Sequence, residues 1–194
     1  RCLSLRPDPV PRSLRMAEAA RNSVWLWRAI FVAVFALLLS LRLLPLSSEP
    51  GKLPGPDLLL CLSCAWVLRR PYHLPVLLIA LVVLLEDMFL MRPPGLWAAV
   101  VVMGTEFLRR RAAFMRELSW LSEWMLVAVA MLGMFLLNRV VMALTMLPQP
   151  GLGLTLVEFI FTAAAYPVII FVLRHLAGLT KPATGERDSL GRPL

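Results

Sequence analysis

Residues 121–147 read LSEWMLVAVAMLGMFLLNRVVMALTML, 27 residues whose only charges are Glu123 and Arg139. A helix needs about 20 residues, at about 1.5 Å of rise each, to cross the roughly 30 Å hydrocarbon core of a bilayer. This run has length to spare. It also lacks the polar face that a helix on the surface of a soluble domain would show. The reading that follows is a helix embedded in a membrane, and the rest of the chain agrees. Of the 194 residues 59% are hydrophobic and 16% charged, where a soluble domain carries about 45–50% and about 25%. Such a composition is too apolar for disorder and leaves too little polar material to coat a soluble enzyme.

Outward from that run, five more apolar stretches can be marked, at 24–46, 56–70, 74–91, 94–110 and 152–176. Arg69-Arg70-Pro71, Arg92-Pro93-Pro94, Arg109-Arg110-Arg111 and Pro148-Gln149-Pro150-Gly151 punctuate them. The expected fold is all-α: a polytopic integral membrane protein of six transmembrane helices. The runs at 56–70, 74–91 and 94–110 are short for a crossing, so they either cross where the bilayer is thinned or are partly re-entrant. The division of the chain is a basic tail over 1–23, a six-helix membrane domain over 24–176 and a polar tail over 177–194. Residues before Met16 read as an upstream extension or a mis-called start. The connections are short, about ten residues at most, too small to house a catalytic domain.

Orientation follows from the basic residues. With the N-terminus cytoplasmic, 15 Lys and Arg fall on the inside and two, Lys52 and Arg92, on the outside. Both ends are therefore expected in the cytoplasm. Arg109, Arg110, Arg111 and Arg116, read as one inner loop beside Trp120, are the expected topology determinants, and the anionic inner leaflet is their natural neighbour. Trp25, Trp27, Trp66, Trp97, Trp120 and Trp124 all fall near expected membrane interfaces, as an aromatic belt would. A net charge of +8 thus reads as topology rather than nucleic-acid binding, because the basic residues sit between apolar runs.

Catalytic signatures are missing from the sequence. Cys61-x-x-Cys64 has the spacing of a metal or redox half-site, but it lies in an apolar run with no second pair and no neighbouring His, and zinc takes four ligands. Cys2 makes the cysteine count odd, which argues against a disulfide framework. His73 and His175 lie in or near connections, away from the positions that haem ligation would need. There is no G-x-S-x-G, H-E-x-x-H or P-loop. The expectation is no enzyme, no cofactor and no metal.

Charges inside the runs carry more information, since each costs about 2.5–3.5 kcal/mol at the bilayer centre on insertion scales and so calls for a partner or a function. Arg42, Glu86, Asp87, Arg139 and Glu158, with Arg92 at the edge, are expected at similar depth near the outer side. They either line a path for a solute or proton, or pair internally while Arg42 and Arg92 reach outward to water. For Arg139 the expected partner is Asp87 or Glu158. Glu106 and Arg109, three residues apart, read as a local helix pair. Ala163-Ala164-Ala165 would allow close helix approach, and Pro167 would interrupt one backbone bond and bend its helix.

These residues resemble the family of the rod shape-determining membrane protein MreD, over about residues 24–177. The similarity rests on Pro56-Asp57 opening a run that ends in Arg69-Arg70-Pro71, on Asp87 followed eight residues later by Gly95-Leu96, and on Tyr166-Pro167 with Arg174-His175. Val83 stands where the family often has Gly, and Gly55 where it has Arg. The resemblance implies a non-enzymatic, multi-pass component of the bacterial inner membrane. It would help maintain rod shape by coupling MreC, the MreB filament and the RodA–transpeptidase pair in lateral peptidoglycan synthesis. Asp57, Arg69, Arg70, Asp87, Gly95, Arg139, Glu158 and Pro167 are then the candidate structural or interaction residues. No nucleic acid and no small-molecule substrate are expected. The competing reading is a membrane-embedded solute-binding subunit of a vitamin-type transporter, and a cavity lined by the outer charges and Trp97 would distinguish it.

Overall fold

The computed structural model describes residues 12–44, 55–71, 73–115 and 119–177. Most of the two expected tails, the 47–54 connection and Arg116 lie outside the described residues. What is described is all-helical, six α-helices in the order α1 (Arg12–Leu43), α2 (Leu58–Arg69), α3 (Val76–Phe89), α4 (Leu96–Met115), α5 (Trp120–Leu144) and α6 (Leu152–Ala177). The expected runs match these elements to within a few residues, apart from two extensions. α1 begins at Arg12, inside the stretch expected to be a tail. α4 continues to Met115, so Arg111 is helical and not part of a loop.

Three stretches are long and apolar enough to cross a membrane, Val24–Leu43, Trp120–Leu144 and Leu152–His175. Their outward faces carry Trp25, Leu37, Val129, Leu144, Val168 and Phe171, all exposed. A soluble monomer rarely leaves apolar area of that extent uncovered. α2 is the opposite case. It is 12 residues long, about 18 Å at 1.5 Å per residue, and Leu59 through Arg69 are all buried. A helix apolar on every side belongs in a core, and α2 is packed by α6, α4 and α1. Trp66, in its last turn, has no exposure, its ring 5.3 Å from Phe31 and 6.2 Å from Trp27 in edge-on contacts. The aromatic belt is therefore smaller than expected: Trp25 and Trp120 are exposed, whereas Trp66 and Trp97 are buried because they fill gaps between helices.

The helix ends are specified locally. Asp57 caps α2, its Oδ1 accepting the Leu60 amide at 3.1 Å, and Ser119 caps α5. α3 and α5 close the same way. Met91 and Met146 take φ of +52°, and the amides of Arg92 and Leu147 return to the carbonyls of Asp87 and Met142 at 3.0 Å each. This left-handed closure usually uses Gly. In α6, Pro167 lies inside the helix and cannot supply the amide that would bond the Ala163 carbonyl. The Trp124 indole donates to that carbonyl at 2.9 Å. Met134 occupies the place a side chain on Gly104 would need, so this glycine lets α4 and α5 approach closely.

Candidate functional site

Consecutive helices run up and down, so the C-terminal ends of α1, α3 and α5 meet the N-terminal ends of α2, α4 and α6. Four carboxylates gather at this end, Asp57, Glu86, Asp87 and Glu158, with Arg42, Arg92 and Arg139. Most of the other arginines collect at the opposite end.

Arg42 is the hub of the carboxylate end. Its Nη1 lies 2.9 Å from Glu86 Oε1 and 3.2 Å from Asp57 Oδ1, and its Nη2 lies 3.9 Å from Glu158 Oε1. One guanidinium from α1 thereby ties α2, α3 and α6. Arg92 approaches Glu86 at 3.7 Å and stands 5.7 Å over the Trp97 ring. Glu86 and Asp57 are each 1% exposed, so these are desolvated charges whose cost is offset only by good pairing. The expectation that Arg42 and Arg92 turn outward to water is thus corrected: both point into the cluster, where the carboxylates are.

Arg139 is corrected as well. It pairs with neither Asp87 nor Glu158. Its Nη1 donates to the Pro150 carbonyl at 2.9 Å and to Thr155 Oγ1 at 3.3 Å, pinning the α5–α6 connection. Asp87 has a different task. Its Oδ2 accepts the amides of Gly95 and Ala98 at 3.1 and 3.2 Å, capping α4 across the hairpin. Gly95 has a φ of +87°, a conformation that a side chain would strain. The Asp87-to-Gly95 spacing therefore has a backbone reason: the aspartate ends one helix and begins the next. Glu158 contacts only the edge of the cluster, and its carbonyl accepts the Thr162 hydroxyl at 2.7 Å. That hydroxyl oxygen in turn accepts the Asp57 amide at 2.9 Å.

A cavity of about 210 Å³ opens beside this cluster, between the α3–α4 hairpin, α5 and α6. Its walls include Arg92, Arg139, Glu158 and Asp57 together with Trp97 and Phe135, whose rings lie 5.5 Å apart. Sequence reasoning grouped Arg42 with its carboxylates but overlooked Asp57 as a member. The available signal was that Asp57 directly precedes a run beginning on the same side as the ends of α1 and α3.

At the arginine end the structure places Arg69, Arg70, Arg109, Arg110 and Arg111. Arg69 is buried and lies 3.7 Å from Glu123 on α5, and Glu123 is itself buried. Arg70 stacks 4.7 Å over Trp27. Arg109 pairs with Glu106 at 2.9 Å, as the spacing predicts, and also donates to the Pro71 carbonyl at 3.1 Å. Arg28 donates to the His73 carbonyl at 3.0 Å. Together these bonds hold the α2–α3 turn. Arg110 and Arg111 are exposed beside Phe107 and Phe114, and Arg111 lies 4.7 Å over the Phe107 ring. Cys61 and Cys64 are free buried thiols on the α6 side of α2, where Cys61 Sγ donates to the Thr162 carbonyl at 3.2 Å. Pro167, the last of the sequence-derived candidates, stands apart from both charged ends.

Comparison of the chain with protein-family models, curated proteins and solved structures finds no match.

Proposed function

We propose that this chain is a non-enzymatic, multi-pass scaffold of the bacterial inner membrane, in the manner of the MreD family. In this reading all six helices are embedded, both ends are cytoplasmic, and the carboxylate end faces outward. The observation that carries the reading is the use the fold makes of the residues behind the resemblance. Asp57 caps α2 and meets Arg42, Asp87 caps α4 through Gly95, and Arg69-Arg70-Pro71 is the turn that Arg109 and Glu123 hold. The resembling motifs from α2 to α4 are architectural joints. A protein built of joints, with short connections and exposed apolar helix faces, is suited to binding other membrane segments. MreC, MreB and the RodA–transpeptidase pair are the partners this reading implies. The exposed arginines and aromatics of the other end suit the anionic inner leaflet.

Depletion of the protein in its own bacterium, with complementation by variants, tests this reading. Rod-shaped cells should round up on depletion. The native chain should restore them, and Asp87→Leu should not. Cells that keep their width and shape after depletion would overturn it. The transporter reading gains a cavity with Trp97 and the charged residues in its wall, but at about 210 Å³ this falls below the roughly 300–1,000 Å³ of sites that enclose drug-sized ligands. The cavity by itself would not enclose a vitamin-sized solute.

A further inference from the structure

The cavity at the carboxylate end holds opposite charges that face the same space without meeting. Arg139 reaches it from α5 and Glu158 from α6, one turn beyond Thr155, yet the Arg139 contacts are two neutral oxygens. Among the described residues the cation within 4 Å of Glu158 is Arg42, at 3.9 Å and already engaged by two other carboxylates. The Glu158 carboxylate stays partly exposed in the cavity wall. Buried polar groups are normally satisfied, and charges at such a place call for a counter-charge. The wall also includes the Trp97–Phe135 pair with Leu96 and Met142, and the polar Gln149 and Thr155. A small ligand carrying an anionic group at one end and an ammonium at the other would satisfy both sides at once.

We propose that this cavity binds a zwitterion of the phosphoethanolamine class, its anionic oxygens on Arg139 and Arg92 and its ammonium on the Glu158 carboxylate. Size allows it: about 210 Å³ is far above the roughly 10–15 Å³ that admits a single water, so a group of eight heavy atoms can enter. An ammonium with N–H donors is favoured, because the Glu158 carboxylate accepts hydrogen bonds; a quaternary amine supplies none. The same chemistry is available from two sources, a phosphatidylethanolamine headgroup or a free solute. The inference rests on the cavity and does not depend on the family reading.

The test uses the full chain. Native mass spectrometry in an equimolar mixture of phosphatidylethanolamine, phosphatidylglycerol and phosphatidylcholine should show one phosphatidylethanolamine retained per chain. The preference over the other two should be about tenfold or more, the scale of one charge-assisted hydrogen bond. Glu158→Gln and Arg139→Gln should each remove that preference. Met142→Trp, which fills the cavity without altering a charge, should do the same and guards against a charge variant that misfolds. Arg111→Gln, at the far end, should leave it intact. Calorimetry with free phosphoethanolamine, on chain in nanodiscs lacking phosphatidylethanolamine, separates the sources: heat of binding there assigns a soluble ligand, and its absence alongside lipid retention assigns the headgroup. Equal retention of all three lipids without a response to phosphoethanolamine overturns the proposal. So does a preference that survives Met142→Trp and both charge variants.

Discussion

Replacing Arg42 with leucine is expected to be among the most damaging single changes in this protein. Arg42 holds Glu86 at 2.9 Å and Asp57 at 3.2 Å, and without it Glu86, 1% exposed, keeps only Arg92 at 3.7 Å. Breaking a buried ion pair from one side costs about 3–5 kcal/mol, because the other charge is left uncompensated. For a chain of this size each kcal/mol moves the melting midpoint by about 2–4 °C, so Arg42→Leu should lower it by about 6–20 °C. Arg139→Leu is the contrast. Arg139 bonds a carbonyl and a hydroxyl, and removing it leaves no charge stranded. About 1–2 kcal/mol is expected, or about 2–8 °C. The assay is thermal unfolding of the full chain in one detergent, followed by circular dichroism and by tryptophan fluorescence. The double change Arg42→Leu with Glu86→Leu should recover part of the loss, since removing both members of a buried pair can be nearly neutral, while Asp57 still lacks its Arg42 partner. If Arg139→Leu proves more damaging than Arg42→Leu, or if the double change costs the sum of its parts, the cluster is not organised around Arg42.

Three other outcomes can be measured, two from the geometry and one from the proposed topology. Trp124→Phe leaves the Ala163 carbonyl without a donor and should cost about 1–3 kcal/mol; adding Pro167→Ala restores a backbone amide and should return most of it, as unfolding of the single and double variants would show. Asp87→Asn keeps one acceptor for the α4 amides and should be mild, whereas Asp87→Leu and Gly95→Val, the latter at a φ of +87°, should each lower the midpoint by several degrees. Reporter fusions should place 148–151 outside and 111–120 inside, and changing Arg109, Arg110, Arg111 and Arg116 together to Gln should disturb insertion or orientation; a cytoplasmic 148–151 connection would remove the six-crossing topology.

Element positions were legible because apolar runs and their Pro, Gly and Arg boundaries are local signals. All six runs have a helix within them, and Glu106 finds Arg109 because i and i+3 share a helix face. Partner choice among distant charges was not legible. Depth along a span can be counted at 1.5 Å per residue, which correctly grouped Arg42, Glu86 and Glu158. Counting gives no rotation about a helix axis, and it is rotation that aims Arg139 at the Pro150 carbonyl and leaves Asp87 to the amides of Gly95 and Ala98. The same gap affected tryptophan. Trp66 and Trp97 stand at belt positions in the linear reading, yet they are buried, because the short α2 lies inside a ring of neighbours that no window along the chain can register. Trp124 carried a readable hint: a Pro inside a helix leaves the carbonyl four residues earlier without a donor, and the indole of a nearby helix is a natural supplier.

Purification of the tagged full chain from native membranes, after mild cross-linking and with identification of whatever accompanies it, tests the proposed function most directly. The scaffold reading predicts that a bitopic MreC-type protein and the RodA–transpeptidase pair are recovered, and that Asp87→Leu, inserted at normal level, loses them. Recovery of nucleotide-hydrolysing transporter subunits instead, with none of the wall-synthesis proteins, would contradict it.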